Sequence, residues 1–347
     1  MTIFEERRRK LLAMARGRQV VAATGANIFW LTDFCGSGYA IVKEDRTVIV
    51  TSKMERNRAK EGEEAEVVAA NGQAEIRAAA LRELGRGRAV TDDASEFASS
   101  KRLREDKDLF LRARRQKDEE EIARIAEACR VLDKIYRGLE KEIRPGRSEW
   151  KIASEVLRIA TENRTTPIAD DLALSPTIIA SGPRAAYPHV ELSDREVKKG
   201  EFLLADIFFR YKGYCSDATR TFAVGTVSGE MKRNYQTVFD AQAAAMKAIR
   251  VGAVCEDVNE AAIGVLREKK LDRFMTHSTG HGVGIDIHEL PNIRRKSLTK
   301  LARGDVVTDE PGIYFRGKYG IRIEDTVLVG ERPKLLTKYT KELVTVG

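Results

Sequence analysis

The sequence predicts two domains of different construction, an α/β domain followed by an α+β domain. Three observations carry this expectation. The chain has 347 residues, more than one hydrophobic core ordinarily holds. Up to about residue 115, short apolar runs alternate with helical patterns, as in a mixed or parallel sheet covered by helices. Beyond that point come two long helices, then strands and a hairpin, and the same order occurs again.

The first domain is placed at residues 1–115. Residues 4–16 read as a short amphipathic helix and 19–23 as a β-like run. The stretch ANIFWLTDFCGSGYAIVKEDRTVIVTS is expected to hold an aromatic strand, a glycine-containing turn, and two strands split by a turn at 43–46. Helices over 53–61 and 73–84 flank a strand at 65–70, and a short strand follows at 88–91.

The second domain takes 116–347. Residues 118–142 carry Ile122, Ile125, Ala126, Cys129, Leu132 and Ile135 as a helical stripe, stopped by Pro145-Gly146. Ser148 stands where an N-cap is needed for a helix to about Glu162. A strand entering a loop follows at 176–189, then a hairpin over 201–225. Helices recur at 231–250 and 255–269, and 281–288, 306–315 and 321–329 read as strands and loops. The repeated order is that of a duplicated ααββ unit.

Composition narrows the function classes. The net charge is +8 and the sequence pI about 9.2, but the basic residues are mixed with acids, as in KRLREDKDLFLRARRQKDEEE. That is a solvated helix surface rather than a phosphate-binding stripe, so nucleic acid is not the expected partner. No run of about 18 apolar residues occurs, so no membrane span is expected. The N-terminal stretch has no uninterrupted apolar core, so no signal peptide is read there. The four cysteines, Cys35, Cys129, Cys215 and Cys255, form no CxxC spacing. Free thiols fit a cytoplasmic protein.

The candidate chemistry begins in the hairpin EFLLADIFFRYKGYCSDATRTFAVG. Paired about Tyr211 and Lys212, it would set Asp206 and Asp217 directly opposite, with Cβ atoms roughly 5 Å apart. Two carboxylates that close on an apolar sheet must share a proton, meet cations or bind metal. The segment VVTDEPGIYFRGKYGIRIEDTVLV repeats the pattern, with Glu310 and Glu324 equidistant from Gly317.

All four histidines, His189, His277, His281 and His288, lie in the second domain, three of them in FMTHSTGHGVGIDIHELP. The separation of His281 from His288 is odd, so a regular strand would turn them to opposite faces. One candidate site therefore holds Asp206, Asp217, His281, Glu310 and Glu324. Two divalent cations would cancel its carboxylate charge. Oxygen-rich ligands with one nitrogen suit Mn, Co, Fe or Zn rather than copper. Two such ions roughly 3.5 Å apart can hold a water between them and lower its pKa towards neutrality. Histidines outside the ligand set could then stabilise an oxyanion or hold the substrate.

SGPRAAYPH, LLADIFFRYKGYCSDATRTFAVG, HSTGHGVGIDIHELP, DEPGIYF and GIRIEDTVLV, in this order over about residues 116–330, resemble the pita-bread metallopeptidases. The resemblance is to the Xaa-Pro dipeptidase (prolidase) and Xaa-Pro aminopeptidase branch. ANIFWLTDFCGSGYAIV resembles the creatinase-type N-terminal domain of that branch, which methionine aminopeptidases usually lack. The implied architecture is a creatinase-like domain followed by a pita-bread catalytic domain.

By resemblance, Asp206, Asp217, His281, Glu310 and Glu324 hold two divalent metal ions, Asp217 bridging or bidentate. Glu310 is also the acid–base group. His277 and His288 match histidines at the substrate site, His288 also binding substrate, and both are taken as catalytic. His189 matches a third histidine there. Arg322 matches an arginine that holds the acidic cluster, and Tyr314 a tyrosine beside it. A homodimer is implied, one partner's N-terminal domain helping to close the other's site. The sequence departs from the family at Asp309, where an apolar residue is usual. That acid either alters metal affinity or points to the other strand face.

An Xaa-Pro bond is a tertiary amide without an N–H, and its leaving group is a secondary amine that must be protonated. A dipeptidase also needs a cation for the proline carboxylate. Arg294 and Arg295 are the candidates, with a solvated loop pair as the alternative. Hydrolysis of Xaa-Pro dipeptides is the first expectation. Removal of the N-terminal residue from longer Xaa-Pro peptides is the second. A related amidase and a catalytically silent binding protein complete the alternatives.

Overall fold

A six-stranded mixed sheet organises the first of two units, Met1–Arg114. The computed structural model describes residues 2–62, 65–97, 100–168 and 177–347. In this sheet β1 (Gln19–Ala22), β2 (Tyr39–Val42) and β3 (Thr47–Ser52) are successively antiparallel. The strand β4 (Ala65–Ala70) runs parallel to β3. On the other side β5 (Ala89–Thr91) is parallel to β1, and β6 (Leu103–Glu105) is parallel to β5. The order is β4-β3-β2-β1-β5-β6. Around it lie α1 (Ile3–Met14), α2 (Gly25–Thr32), α3 (Arg56–Ala59), α4 (Gly72–Glu83) and α5 (Asp108–Arg114).

The expected aromatic strand in ANIFWLT is instead the helix α2. Buried Asp92 explains it. Its carboxylate accepts the N–H groups of Ala23 at 2.8 Å and Thr24 at 3.1 Å and the Asn27 amide at 2.7 Å. A carboxylate at that end satisfies and stabilises a helix N-terminus. Ile28, Trp30 and Leu31 are then buried, and Trp30 meets Phe110 edge-on with ring centroids 6.4 Å apart. This acid lies far along the chain, so no local window reveals it.

The second unit, Arg115–Gly347, opens with α6 (Glu119–Glu142) and α7 (Glu149–Glu162). A capping box between Asp118 and Glu121 starts α6, and the Ser148 hydroxyl caps α7. Both helices cover a sheet of β7 (Thr166–Pro167), β8 (Thr177–Ser181), β9 (Glu201–Tyr211), β10 (Tyr214–Val224) and the C-terminal β18 (Thr345–Val346). Of the strand-and-loop stretch expected at 176–189, Pro176 lies outside the described residues; a 3₁₀ turn follows β8 at Gly182–Ala186.

The pattern then recurs. Helices α8 (Gly229–Ala248) and α9 (Cys255–Glu268) precede β11 (Gly280–Gly282), β12 (Glu289–Ile293) and β13 (Val306–Asp309). After these come β14 (Gly312–Phe315), β15 (Tyr319–Arg322), β16 (Asp325–Leu328) and β17 (Lys334–Leu335). Each half has its own core. Ile135, Leu139 and Val156 pack with Leu203, Phe209 and Phe222. Val238, Val258 and Leu266 pack with Val307, Ile321 and Val327.

Candidate metal centre

The first two carboxylates come from the β9–β10 hairpin. Its turn is Lys212-Gly213, both left-handed, with φ of +44° and +85°. Tyr211 therefore faces Tyr214, Asp206 faces Thr219, and Asp217 faces Phe208. The directly opposed placement is thus corrected to a diagonal one. A turn one residue earlier would force Tyr211 to positive φ, which bulky residues resist. A two-residue offset preserves the face, so both aspartates still point the same way.

The other two carboxylates flank a break. Strands β14 and β15 pair Gly312 with Arg322, and β13 and β16 pair Asp309 with Asp325. Both registers are centred on Gly317, so Glu310 and Glu324 oppose each other between the two ladders. Pro311 interrupts the pairing there. The freed backbone groups reach other segments: the Glu310 N–H donates to Thr279 O, just before β11, at 2.8 Å, and the Glu324 N–H to Thr219 O of β10 at 3.1 Å. This break joins the two halves of the unit around one cluster.

His281 enters from β11, whose close approach requires glycine: a Cβ on Gly280 would lie 2.1 Å from Thr308 O. The His281 Nε2 is 3.3 Å from Glu310 Oε1 and 3.7 Å from Asp217 Oδ2. Asp217, His281 and Glu324 each present a ligand atom, all within 4.8 Å of one another. Glu324 Oε2 accepts from Thr219 Oγ1 at 2.7 Å. Asp206 Oδ2 is held by Arg322, whereas its buried Oδ1 has no hydrogen-bond partner.

The electrostatics show a set short of positive charge. Burial, then the neighbouring acids, push Asp217 and Glu324 well above the usual carboxylate range. Burial also raises Asp206, against the opposing charge of Arg322. Burial disfavours charge on Glu310 and His281 too, but their mutual hydrogen bond and attraction prevail. Glu310 is held down to about 2 and His281 is raised to about 9. Three buried carboxylates, the half-buried Glu310, one imidazole and an orphaned Asp206 oxygen fit a pair of divalent cations.

The surrounding residues divide into those that meet this set and those that do not. Arg322 is buried and donates to Tyr314 Oη at 2.7 Å and Thr219 Oγ1 at 3.0 Å, as well as to Asp206. Tyr314 Oη is 2.8 Å from His277 Nε2, and His277 Nδ1 is 2.8 Å from Ser278 O. Both ring nitrogens of His277 are thus engaged. It ends a hydrogen-bonded chain that runs through Tyr314 to Arg322. His288 is exposed, and its ring packs against His281 at 4.3 Å between centroids, tilted by 58°. The opposite-face expectation fails because residues 283–288 form a loop, not strand. His189 is exposed on the loop after β8, close enough for its charge to act on Asp206.

Arg294 and Arg295 are exposed and stand apart from the acid set. With His277, Asn292, Glu256 and Arg267 they line a cavity of about 940 Å³, which no residue of the acid set lines. Asp309 lies fully buried, and neither carboxylate oxygen has a hydrogen-bond partner. Burial first, then Asp325, drives its pKa well above the usual range. Thr219 and Thr308 are the residues that sequence reasoning missed. Thr308 Oγ1 accepts from the His281 N–H at 3.0 Å and donates to Glu310 at 3.2 Å. For Thr219 a signal existed: it lies two residues beyond Asp217 and so shares its face.

Residues 123–331 match the model of metallopeptidase family M24. The Xaa-Pro dipeptidase of Pyrococcus furiosus is 33% identical over 335 residues, covering 94% of this chain and 95% of that protein. The prolidase of Pyrococcus horikoshii OT3 superposes with a TM-score of 0.90 at 30% identity, over 98% of this chain and 100% of that one. The X-Pro aminopeptidase of Thermotoga maritima MSB8 superposes with a TM-score of 0.88 at 27% identity, over 99% of both chains.

Proposed function

The chain belongs to metallopeptidase family M24, and we propose that within it the protein is a two-metal Xaa-Pro dipeptidase. The observation that carries this reading is the cluster of four carboxylates around His281, of which Asp206, Asp217 and Glu324 are buried and Glu310 half-buried. Asp206, Asp217, His281, Glu310 and Glu324 would hold two divalent ions, drawn from Mn, Co, Zn and Fe. Such ions, when bound, supply Lewis acidity and a hydrolytic water of lowered pKa. Dipeptidase activity is favoured because relatives that match most of the chain, such as the Pyrococcus furiosus protein, bear that name.

The chain's own groups supply the rest. Glu310 takes the proton of the attacking water and delivers it to the proline nitrogen, a poor leaving group until protonated. Its carboxylate is placed for this beside His281, with Oε1 3.3 Å from Nε2. Arg322 fixes the Asp206 carboxylate, and Tyr314 and His277 fix Arg322. His288 and His189, both exposed, hold the substrate at the mouth. Arg294 and Arg295 receive the proline carboxylate. We expect a cytoplasmic homodimer; no helix among the described residues is long and apolar enough to cross a membrane.

An Xaa-Pro aminopeptidase is the second reading. The cavity beside His277, about 940 Å³, lies near the top of the range for small-ligand pockets, roughly 300–1,000 Å³, which leaves room for longer peptides. Metal-stripped enzyme supplied with Mn, Co or Zn and offered Met-Pro or Arg-Pro-Pro decides between them, beside Glu310→Gln. Metal-dependent cleavage of Met-Pro alone supports the dipeptidase. Release of arginine from the longer peptide moves the activity to the aminopeptidase. With neither cleaved and two metals bound, only the amidase and silent-binder readings survive.

A further inference from the structure

We propose that Glu289, through its buried ion pair with Lys117, is a positioning residue for His288. The proposal rests on the reading of His288 as a substrate-site residue. It addresses how a histidine at an odd separation returns to His281. Gly282 and Glu289 are cross-strand partners, so residues 283–288 form a loop closed at that pair. The Glu289 side chain reaches the groups of its own loop. Its Oε1 accepts the Asp286 N–H at 3.1 Å, and its Oε2 accepts Lys117 Nζ at 2.8 Å. Both side chains are only 1% exposed.

Gly284 makes room for that carboxylate, since a Cβ there would lie 2.4 Å from Glu289 Oε2. Lys117 is itself fixed. Its Nζ donates to Arg115 O at 3.2 Å, and its N–H to Gly304 O at 2.8 Å. The loop is also tied to the metal hairpin, through Cys215 N–H to Gly284 O at 2.7 Å and Arg210 to Ile285 O at 3.0 Å. His288 follows these anchors directly, its ring against His281 at 4.3 Å. A buried ion pair gains little net stability over an apolar pair of similar volume, and in some proteins its role is to specify one arrangement. Here the specified arrangement is that of the His288 loop.

The test uses the metal-loaded full chain with ¹³C-labelled histidine, in its zinc form for NMR. The variants are Glu289→Gln and the double change Lys117→Met with Glu289→Leu, which leaves no buried charge unpaired. Both should retain two metals per chain and cooperative unfolding, yet lose the nuclear Overhauser contact between the His281 and His288 rings. In kinetics on Met-Pro, kcat/KM should fall about tenfold in Glu289→Gln, and His288→Ala should then add less than about twofold, as for residues acting as a unit. A retained ring contact in both variants overturns the proposal, as does a full additional loss from His288→Ala. If His288→Ala is silent in the native chain while the ring contact is lost in Glu289→Gln, the positioning stands and the substrate-site reading of His288 fails.

Discussion

Each half of the second unit delivers two carboxylates, and the two halves do so by opposite means. The β9–β10 hairpin is continuous, with all eleven residues of each strand paired. Its aspartates share a face by parity alone. The β13–β16 region is broken at Pro311, and its glutamates meet in the gap. Continuity gives orientation, whereas interruption frees backbone groups to bind a third strand. The broken half therefore joins the centre together, through Thr279 and Thr219.

The broken half also carries two acids behind the centre, with contrasting surroundings. Asp325 accepts from Arg220 at 2.7 Å, Thr337 at 2.8 Å and Gln242 at 3.1 Å, with Lys341 at 3.2 Å. Despite burial, these partners hold its pKa below the usual value. Asp309, directly across the ladder, has no such partners and moves the other way. Equal burial thus goes with a lowered carboxyl pKa on one strand and a raised one on the other.

The largest effect should come from removing one acid of each half. Glu310→Gln should lower kcat/KM on Met-Pro by roughly 10³-fold or more, losing both a ligand and the proton carrier. Asp217→Asn should be comparable with metal in excess. A fully active variant from either half would break the idea of one shared centre.

Arg220→Met leaves the Asp325 charge buried beside Asp309, and should cost about 3–5 kcal/mol in urea unfolding. A loss near zero would mean that Lys341 and Thr337 suffice. Next comes metal binding. In the metal-free protein His281 titrates at about 9, and a metal ligand must be neutral. Affinity should therefore rise about tenfold per pH unit for that proton until about pH 9, then flatten. Calorimetry at pH 6 and 8 reads this directly, and a flat profile would contradict it.

The smallest effect concerns Asp309. Its pKa is raised in the folded state, so folding holds a proton that the unfolded chain releases. Stability should fall as pH rises above the ordinary value of 3.8, until the folded group itself ionises. Asp309→Asn should remove that slope and stabilise the protein by about 1–2 kcal/mol at pH 7. Destabilisation by this change would show that Asp309 has a partner at work. Asp325→Asn should act in the opposite sense.

The chain itself determined the helices α6 to α9, because caps such as Asp118 and Ser148 and the apolar period act within a few residues. It also determined which residue types could meet, since two strand pairs with spaced acids and a histidine cluster are local patterns. Tertiary structure decided the rest. It made α2 a helix by bringing Asp92 to its first turn. It returned His288 to His281 around a carboxylate held by Lys117, and it left Asp309 without a hydrogen-bond partner. Each of these depends on a buried group and its partner far apart in sequence, and the cost of burying charge is paid only where the folded neighbours lie.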